Sequence, residues 1–372
     1  MEIFYLAIVL GLLIWIIILL LPSRPYSTEE SLEIHSKKTI NLAEVTVLIP
    51  ARNEASTIVS SLSALKFNDP KLKIILVDDQ SDDNTIELAN STEIENLKIL
   101  HGRKLPPDWS GKLWALEQGR KYIDTDYLLL LDADIILKPG LIMKMLLVAK
   151  KNNIQLVSLM VHLRMKSFWE KLLMPAFVFF FKLMYPFDLS NTPSSKIAAA
   201  AGGCILIETK ILKEIGGFKS IKNTLIDDCS LAKKVKQIGY KTWIGLTLSA
   251  ISIRRYDRLS LVWKMISRTA YTQLNYSILL LFLCTIIMIL AFVTPYIAIL
   301  QMEPTTIGIG ILTLCIQAIC YFPILRYYSI NPIYVLSLPL VAMFYLLFTL
   351  SSAYSYYFSK GPTWKERYYK KI

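Results

Sequence analysis

Long apolar segments constrain the fold of this chain more than any other feature. Residues 3–21, IFYLAIVLGLLIWIIILLL, carry no charge, and no Lys or Arg occurs between Arg268 and Arg326. A helix needs about 20 apolar residues to cross a bilayer. Buried core helices of a large soluble protein are the alternative, but several such runs in sequence favour membrane spans. The predicted spans are an N-terminal anchor within residues 1–22 and three helices within 273–358, near 277–300, 305–325 and 333–357.

The distribution of Lys and Arg does not fix the membrane topology of these spans. The N-terminal segment lacks a basic n-region, and the PSRPYS that follows is a poor cleavage site, so we interpret it as a retained anchor. The concentration of Lys and Arg in the middle of the chain predicts that this region is cytoplasmic. The basic tail at 359–372 should then be cytoplasmic too, yet three C-terminal crossings place it on the opposite side. A re-entrant segment that breaks at Pro295, Pro323 or Pro339 is one solution.

Composition excludes several kinds of site. The net charge is +12 although 54% of the residues are hydrophobic. With an anchor present, this charge indicates anionic lipid headgroups as the partner, and no nucleic acid. The five cysteines form no C-x-x-C pair, which argues against a zinc site or a disulfide framework and fits a reducing compartment. The three histidines, His35, His101 and His162, are scattered and predict no metal cluster.

Residues 45–272 have the pattern of an α/β domain, preceded by a polar linker at 23–44. Short apolar segments typical of buried strands alternate with helical segments, which predicts a mostly parallel, doubly wound sheet. Ligands bind such sheets beyond the carboxyl ends of the strands. The predicted strands are 45–50, 73–81, 97–100 and 127–135, and the predicted helices are 51–65, 82–90 and 111–123.

Polar side chains follow three of these strands and predict an acidic cleft at one sheet edge. They are Asn53 and Glu54, Asp78 and Asp79, and Asp132 and Asp134. Residues i and i+2 of an extended chain project to the same side, so Asp132 and Asp134 could reach one cation. Carboxylate oxygens suit Mg²⁺ or Mn²⁺. The alternative is a solvated turn.

Six segments resemble, in order, the motifs of glycosyltransferase family 2, the inverting enzymes of GT-A fold. They are IPARNEAS, VDDQSDDNT, GKLWALEQG, LDADI, GGCILIETKILKEIGGF and LIDDCSLAKKVKQIGYK, within about residues 45–250. The layout is most similar to the hopene-associated glycosyltransferases, through stretches such as LPPDWSGKLWA and SRTAYTQLNYS. The resemblance implies a Rossmann-like GT-A domain that takes a sugar from a nucleotide-diphosphate donor.

The resemblance also implies roles for the cleft residues. Asp134 would be the main metal ligand, with Asp132 near the ribose or the metal. Lys112 would lie beside the donor as a point charge. The nucleotide pocket would be lined by Pro50, Ala51, Asn53, Glu54, Asp78 and Asp79.

The motif LIDDCSLA supplies the candidate base. Asp228 would remove the proton of the acceptor hydroxyl, and Asp227 would orient Asp228 or the acceptor. The alternative role of these residues is to cap the following helix. Gly202 and Gly203 allow close approach of the backbone to the sugar or acceptor, or simply form a tight turn.

Two further segments bear on the acceptor. Arg268 fills the arginine position of the Q-x-x-R-W signature of chain-forming members and could contact the diphosphate. Met265 and Thr269 replace the Gln and Trp, which favours a single addition, although a processive synthase is an alternative.

The apolar segment 168–187 cannot cross the membrane, because Asp134 and Asp228 must share one cleft. It either packs in the core or, as we prefer, lies in the bilayer interface and brings a lipid acceptor to the site. In the interface its headgroup-level residues would be Trp169, Lys171, Lys182 and Tyr185.

The sequence therefore predicts an integral membrane enzyme that transfers a sugar to a lipid hydroxyl of a hopanoid, isoprenoid or other lipid. A catalytically inactive membrane scaffold is one alternative, but no acidic motif is lost. A signalling receiver domain is another alternative, but such a domain has no role for the IPARNE motif. A HAD-type phosphatase would require Thr or Val two residues after the second aspartate, where Ile136 stands.

Overall fold

The computed structural model describes residues 2–34, 42–69 and 71–359, together with two short strands in the tail. His35 and most of the basic tail therefore lie outside the described residues. In chain order the strands are β1 Val45–Ala51, β2 Lys73–Asp78, β3 Leu97–His101, β4 Tyr127–Leu131, β5 Ile135–Leu137, β6 Leu156–His162, β7 Cys204–Glu208, β8 Thr242–Ser252, β9 Thr363–Trp364 and β10 Arg367–Tyr368. The α-helices are α1 Glu2–Leu20, α2 Ile58–Lys66, α3 Thr85–Asn90, α4 Gly111–Arg120, α5 Leu141–Asn152, α6 Phe168–Met184, α7 Phe187–Asn191, α8 Thr209–Glu214, α9 Asp227–Gln237, α10 Leu259–Ser267, α11 Ala270–Gln273, α12 Ile278–Phe292, α13 Thr294–Leu300, α14 Pro304–Tyr327 and α15 Leu338–Phe358. Two 3₁₀ helices span Gly217–Ile221 and Pro332–Ser337.

One eight-stranded sheet organises the middle of the chain, in the order β3-β2-β1-β4-β7-β6-β8-β5. The first four strands in this order are parallel, as the alternation of strands and helices predicted. β7 runs antiparallel to both β4 and β6, and β5 runs antiparallel to β8. The sheet is therefore mixed but mostly parallel, and the carboxyl ends of β1, β2 and β4 lie at one edge.

Successive side chains of a strand point to opposite faces of the sheet, and helices pack on both faces. Val47 and Ile49 of β1 belong to the apolar cluster that includes residues of α2 and α5. Leu48 belongs to the cluster on the opposite face, which includes residues of α4 and α9. Helices on both faces give the layered α/β architecture and hold the strand ends rigidly at the edge.

In the part of the chain that the structure describes, four helical segments are long and apolar enough to cross a membrane: Glu2–Leu20, Ile278–Leu300, Pro304–Tyr327 and Pro332–Phe358. Their bounds follow the apolar runs of the sequence closely. The second segment is interrupted at Val293, between α12 and α13. Pro295, two residues later, has no N–H to donate to the carbonyl of Ala291. That carbonyl instead accepts hydrogen bonds from Trp15 Nε1 at 2.8 Å and Gln317 Nε2 at 2.9 Å. The break therefore joins three of the four segments.

The other two predicted break points do not interrupt a helix. Pro323 lies inside the continuous helix α14, and Pro339 lies in the first turn of α15. Proline is tolerated in the first turn because that N–H has no helical partner.

Helix α6 lies between the sheet domain and the apolar helices. Phe179 stacks on Trp15 at a ring distance of 6.4 Å, and the hydroxyl of Tyr345 donates to the Leu173 carbonyl. Lys182 is fully buried, and its Nζ lies 2.9 Å from Glu30 Oε2. The prediction that Lys182 lies at headgroup level is therefore wrong, because an internal carboxylate neutralises its charge. The arrangement fits the alternative of core packing for most of α6, and bilayer contact of this segment stays a prediction.

The segment before β1 connects the apolar helices to the sheet. Leu32 N and Leu246 O are 2.9 Å apart, so this segment pairs with β8 like a short extra strand. Glu33 accepts hydrogen bonds from the Tyr327 hydroxyl at 2.7 Å and from Leu248 N at 2.7 Å. Part of the predicted linker is thus an ordered attachment of the sheet to α14.

Candidate active site

The turn after β4 carries Asp132 and Asp134. The sequence predicted an extended chain here, but Asp132, Ala133 and Asp134 form a tight turn between β4 and β5. The two carboxylates consequently bind different side-chain cations. Asp132 Oδ1 is 2.8 Å from Lys112 Nζ, and Asp134 Oδ2 is 2.9 Å from Arg254 Nε.

Lys112 joins the first acidic motif to the second. It lies in the first turn of α4, after Ser110, whose hydroxyl caps the helix by accepting from Leu113 N. Lys112 Nζ is 3.8 Å from Asp227 Oδ2 in addition to its contact with Asp132. Burial alone would lower the pKa of Lys112, but the nearby aspartates raise it above its usual range. The ammonium group is therefore a permanent charge at the centre of the cleft.

Asp228 is held by two backbone donors at the start of α9. Its Oδ1 accepts from Cys229 N and its Oδ2 from Gly202 N, each at 2.7 Å. Burial and the charge of Asp227 raise the pKa of Asp228 to about 6, although these hydrogen bonds and Lys112 oppose the shift. The N-cap of α9 is Ile226, and Asp227 and Asp228 are its first two residues, so the predicted N-cap role of these aspartates is wrong, although Asp228 still accepts from Cys229 N in the first turn. The role of Asp228 as a general base stays a prediction.

The two glycines differ in their orientation. A Cβ on Gly202 would lie 3.2 Å from Asp228 Oδ2 and 3.3 Å from Lys112 Nζ, so a side chain would crowd both groups. A Cβ on Gly203 would meet Val161 of the core at 3.2 Å. Gly202 therefore faces the site, whereas Gly203 contributes its carbonyl, which accepts from Asp132 N.

A small cavity brings the two acidic motifs together. Its lining includes Pro50, Lys112, Asp132, Gly202, Asp227 and Asp228. These residues come from five separate stretches of the chain, and each was predicted from sequence to lie at the site. The arrangement can place an anionic ligand at Lys112 within reach of the Asp228 carboxylate.

The turns after β1 and β2 bind each other beside this cavity. Asp79 N donates to the Ala51 carbonyl at 2.7 Å, and Asn53 Oδ1 accepts from Asp82 N at 2.9 Å. Asp78 is buried and accepts from Ser81 N. The structure therefore gathers the predicted nucleotide-pocket residues at one strand edge.

Arg254 was missed by the sequence reasoning. It follows β8 and binds both Asp134 and Glu54; Nη2 of Arg254 lies 2.6 Å from Glu54 Oε1. The register of β5 against β8, in which Ile135 pairs with Ser252, brings Arg254 to the D-A-D turn. Nothing local distinguishes Arg254 from the exposed Arg255 in the sequence SIRRYDR.

Arg268 is the C-cap residue of α10. It forms no ion pair with any other residue in the described ranges. Burial raises the pKa of Tyr256, and the positive charges of Arg254 and, more weakly, Arg268 oppose this shift. Contact of Arg268 with a diphosphate stays a prediction.

The carboxylates of the cleft are of a type that can bind a divalent cation. Among residues 2–34, 42–69 and 71–359, no group of three or more His, Cys, Asp or Glu side chains is placed to hold a metal ion. Mg²⁺, however, commonly uses one or two carboxylates and completes its shell with substrate phosphates and water. Asp132 and Asp134 are hard oxygen ligands of this kind, each now bound to a side-chain cation.

Part of the α/β domain is similar to known glycosyltransferases. Residues 46–216 match the model described as Glycosyl transferase family 2. The 4,4'-diaponeurosporenoate glycosyltransferase of Staphylococcus haemolyticus is 31% identical over 91 residues, which are 24% of this chain and 24% of that protein. The poly-beta-1,6-N-acetyl-D-glucosamine synthase of Staphylococcus aureus is 36% identical over 117 residues, 30% of this chain and 27% of that protein. The chain thus spans about a quarter of the length of these relatives.

A solved structure has the same fold. A mannosyltransferase from Pyrobaculum calidifontis, in complex with GDP-Man and Mn²⁺, is similar with a TM-score of 0.53 and 16% sequence identity, over 84% of this chain and 86% of that chain. The predicted GT-A-like α/β domain is confirmed by this likeness and by the family match.

Proposed function

Because residues 46–216 match the family model described as Glycosyl transferase family 2, we propose that the protein is a membrane-bound inverting glycosyltransferase of this family. It moves one sugar from a nucleotide-diphosphate donor to the hydroxyl of a lipid, with the catalytic domain on the cytoplasmic side. The observation that carries this proposal is the convergence of Lys112, Asp132 and Asp228 on one cavity, which joins the donor motif to a candidate base.

The cleft residues suit an inverting transfer. Asp228 takes the proton of the acceptor hydroxyl while the hydroxyl oxygen attacks the anomeric carbon from the face opposite the leaving group. The bond from the anomeric carbon to the diphosphate oxygen breaks, and the nucleotide diphosphate leaves with that electron pair. Lys112 binds the diphosphate as a point charge, and Gly202 N holds Asp228 in place. A divalent cation, bound by Asp134 and Asp132, would stabilise the negative charge of the diphosphate.

The lipid acceptor is supported by the position of the domain against apolar helices. Helix α6 packs on the cluster that also contains Trp15, Tyr321 and Phe348 of the apolar segments. Tyr185, just after α6, donates to Gln273 Oε1, and Asp228 contributes to raising its pKa, behind the larger effects of burial and Cys229. Tyr185 therefore lies near enough to Asp228 to sense its charge, at the end of the helix that packs on the apolar segments. The proposed acceptor is the hydroxyl of a hopanoid, an isoprenoid or another lipid.

A donor screen tests the proposal and its metal requirement. Membranes that contain the protein are incubated with nucleotide-diphosphate sugars, Mn²⁺ or Mg²⁺, and a lipid extract, and both nucleotide diphosphate and glycolipid are measured. We expect lipid-dependent release of nucleotide diphosphate and a single glycolipid product. EDTA should abolish transfer, and Mn²⁺ should restore it.

Each part of the proposal has its own contrary result in this screen. Unchanged transfer by EDTA-dialysed membranes would contradict the metal requirement. A ladder of products would favour the processive alternative, and no release with any donor would favour an inactive scaffold. The Asp228→Asn variant in the same membranes is the control for contaminating enzymes.

The pH dependence of transfer should report the Asp228 carboxylate. A base acts only when deprotonated, so activity should be full well above pH 6 and should fall as the pH is lowered through about 6. An unperturbed aspartate would place this loss near about pH 4. Initial rates at saturating donor between pH 4 and 8 measure the midpoint. A midpoint below pH 5 would show that another group is the base or that Asp228 is not shifted.

A further inference from the structure

Arg254 is the side-chain cation that binds Asp134. Its guanidinium spans two carboxylates that lie 80 positions apart in the chain, Glu54 after β1 and Asp134 after β4. The Ser252 hydroxyl donates to the same Asp134 oxygen, Oδ2, at 3.2 Å. Oδ2 of Asp134 therefore already accepts from two donors.

Both aspartates of the D-A-D turn are neutralised by the protein itself. Lys112 binds Asp132, and Arg254 binds Asp134. A divalent cation that approaches Asp134 by itself meets a guanidinium within ion-pair distance of its ligand. Like charges at this separation repel strongly in a partly buried site.

A nucleotide diphosphate changes this balance. Arginine has five N–H donors in a planar fork that matches phosphate oxygens, and the contacts with Asp134 and Glu54 use two of them. The diphosphate offers Arg254 a second anionic partner, and offers the metal oxygen ligands besides the carboxylates. Metal and diphosphate can then enter together, each compensating the charge of the other.

We propose that Arg254 is a resident cation of the metal site, which makes divalent metal and nucleotide diphosphate bind to this protein cooperatively. In the empty cleft it occupies Asp134 and Glu54 and keeps metal affinity low. When the two ligands arrive, it moves its donors toward the diphosphate and frees Asp134. This proposal rests on the proposed function, because it assumes that the cleft binds a nucleotide diphosphate.

Metal binding without turnover tests the proposal. Mn²⁺ binding to the purified full chain in detergent is followed by electron paramagnetic resonance, with and without GDP or UDP. In the wild type, nucleotide-free Mn²⁺ binding should be weak and should tighten when a nucleotide diphosphate is added. In Arg254→Gln, nucleotide-free Mn²⁺ binding should be at least about tenfold tighter, the scale of effect of groups that contact metal ligands. The affinity of this variant for the nucleotide diphosphate should fall by a similar factor.

Two further variants separate charge from structure. The adjacent and exposed Arg255 gives the matched control Arg255→Gln, which should behave as the wild type. Arg254→Lys keeps the charge but loses the fork, so nucleotide-free Mn²⁺ binding should stay weak while nucleotide affinity falls. Thermal unfolding of each variant checks that the fold is retained, and Arg254→Lys serves as the test if Arg254→Gln does not fold.

The proposal is overturned if nucleotide-free Mn²⁺ affinity is equal in Arg254→Gln and the wild type. It is also overturned if Arg254→Lys binds Mn²⁺ more tightly than the wild type does, because the resident charge would then not be the cause. If no nucleotide diphosphate binds the wild type, the proposed function loses its support. The nucleotide-free comparison would still decide the role of Arg254 at Asp134.

Discussion

Asp228→Asn should lower the rate of transfer by about 10²–10⁴, the usual contribution of a general base. The amide has no lone pair that accepts a proton at working pH, whereas the Asp228 carboxylate does. One amide oxygen can still accept from a single backbone donor, so either Gly202 N or Cys229 N loses its partner. Loss of one such bond costs about 1–3 kcal/mol, which leaves the fold intact in a stable domain.

The measurement is turnover at saturating donor together with donor affinity and thermal unfolding. Donor affinity should stay close to that of the wild type, because Asp228 faces the acceptor. Asp188 is exposed on α7, and Asp188→Asn is the matched control for an aspartate change with no effect. Normal turnover in Asp228→Asn would move the base elsewhere, with Asp227 as the first candidate. Weakened donor binding with normal turnover at saturation would make Asp228 a donor contact instead.

Lys112→Met should abolish productive donor binding and shift the pH dependence of whatever activity remains. Lys112 is the cation nearest to Asp132 and Asp227, and its side chain is only 18% exposed. Truncating one partner of a hydrogen-bonded charge pair in a binding site costs about 2 kcal/mol or more, so donor affinity should fall by at least about 30-fold. Loss of this positive charge also disfavours ionised Asp228, so the acid limb of the rate should move above pH 6.

The control for this variant is Lys121→Met at the exposed end of the same helix. It should change neither the donor affinity nor the pH at which the rate falls. Nucleotide diphosphate affinity is measured by calorimetry, and the acid limb by initial rates. Donor affinity within threefold of the wild type and an unchanged acid limb would show that Lys112 serves only the packing of α4.

Much of the architecture could be predicted because it depends on local pattern. The apolar runs gave four helical segments whose bounds differ from the predicted spans by only a few residues. β1 and β3 begin where their β-branched segments begin, at Val45 and Leu97. Most of the predicted site residues also gathered at one edge, because the carboxyl ends of parallel strands meet there.

The sequence reasoning failed where an outcome depended on residues far apart in the chain. Lys182 was predicted at the membrane surface, but Glu30 supplies a buried counter-charge from a segment that precedes the sheet. Asp132 and Asp134 were predicted to lie in an extended chain, but the chain turns between β4 and β5, and each carboxylate binds a different side-chain cation. Side-chain periodicity describes an extended strand and does not apply in a turn.

By itself the sequence determined the helical segments, the α/β alternation and the acidic residues at the strand ends. Only the tertiary structure decided which cation each carboxylate binds. Arg254 and Arg255 are chemically identical neighbours, and the register of β5 against β8 alone selects Arg254 for Asp134 and Glu54. The physical reason is that an ion pair depends on distances of a few ångströms, and packing of the whole sheet sets such distances between residues more than a hundred positions apart.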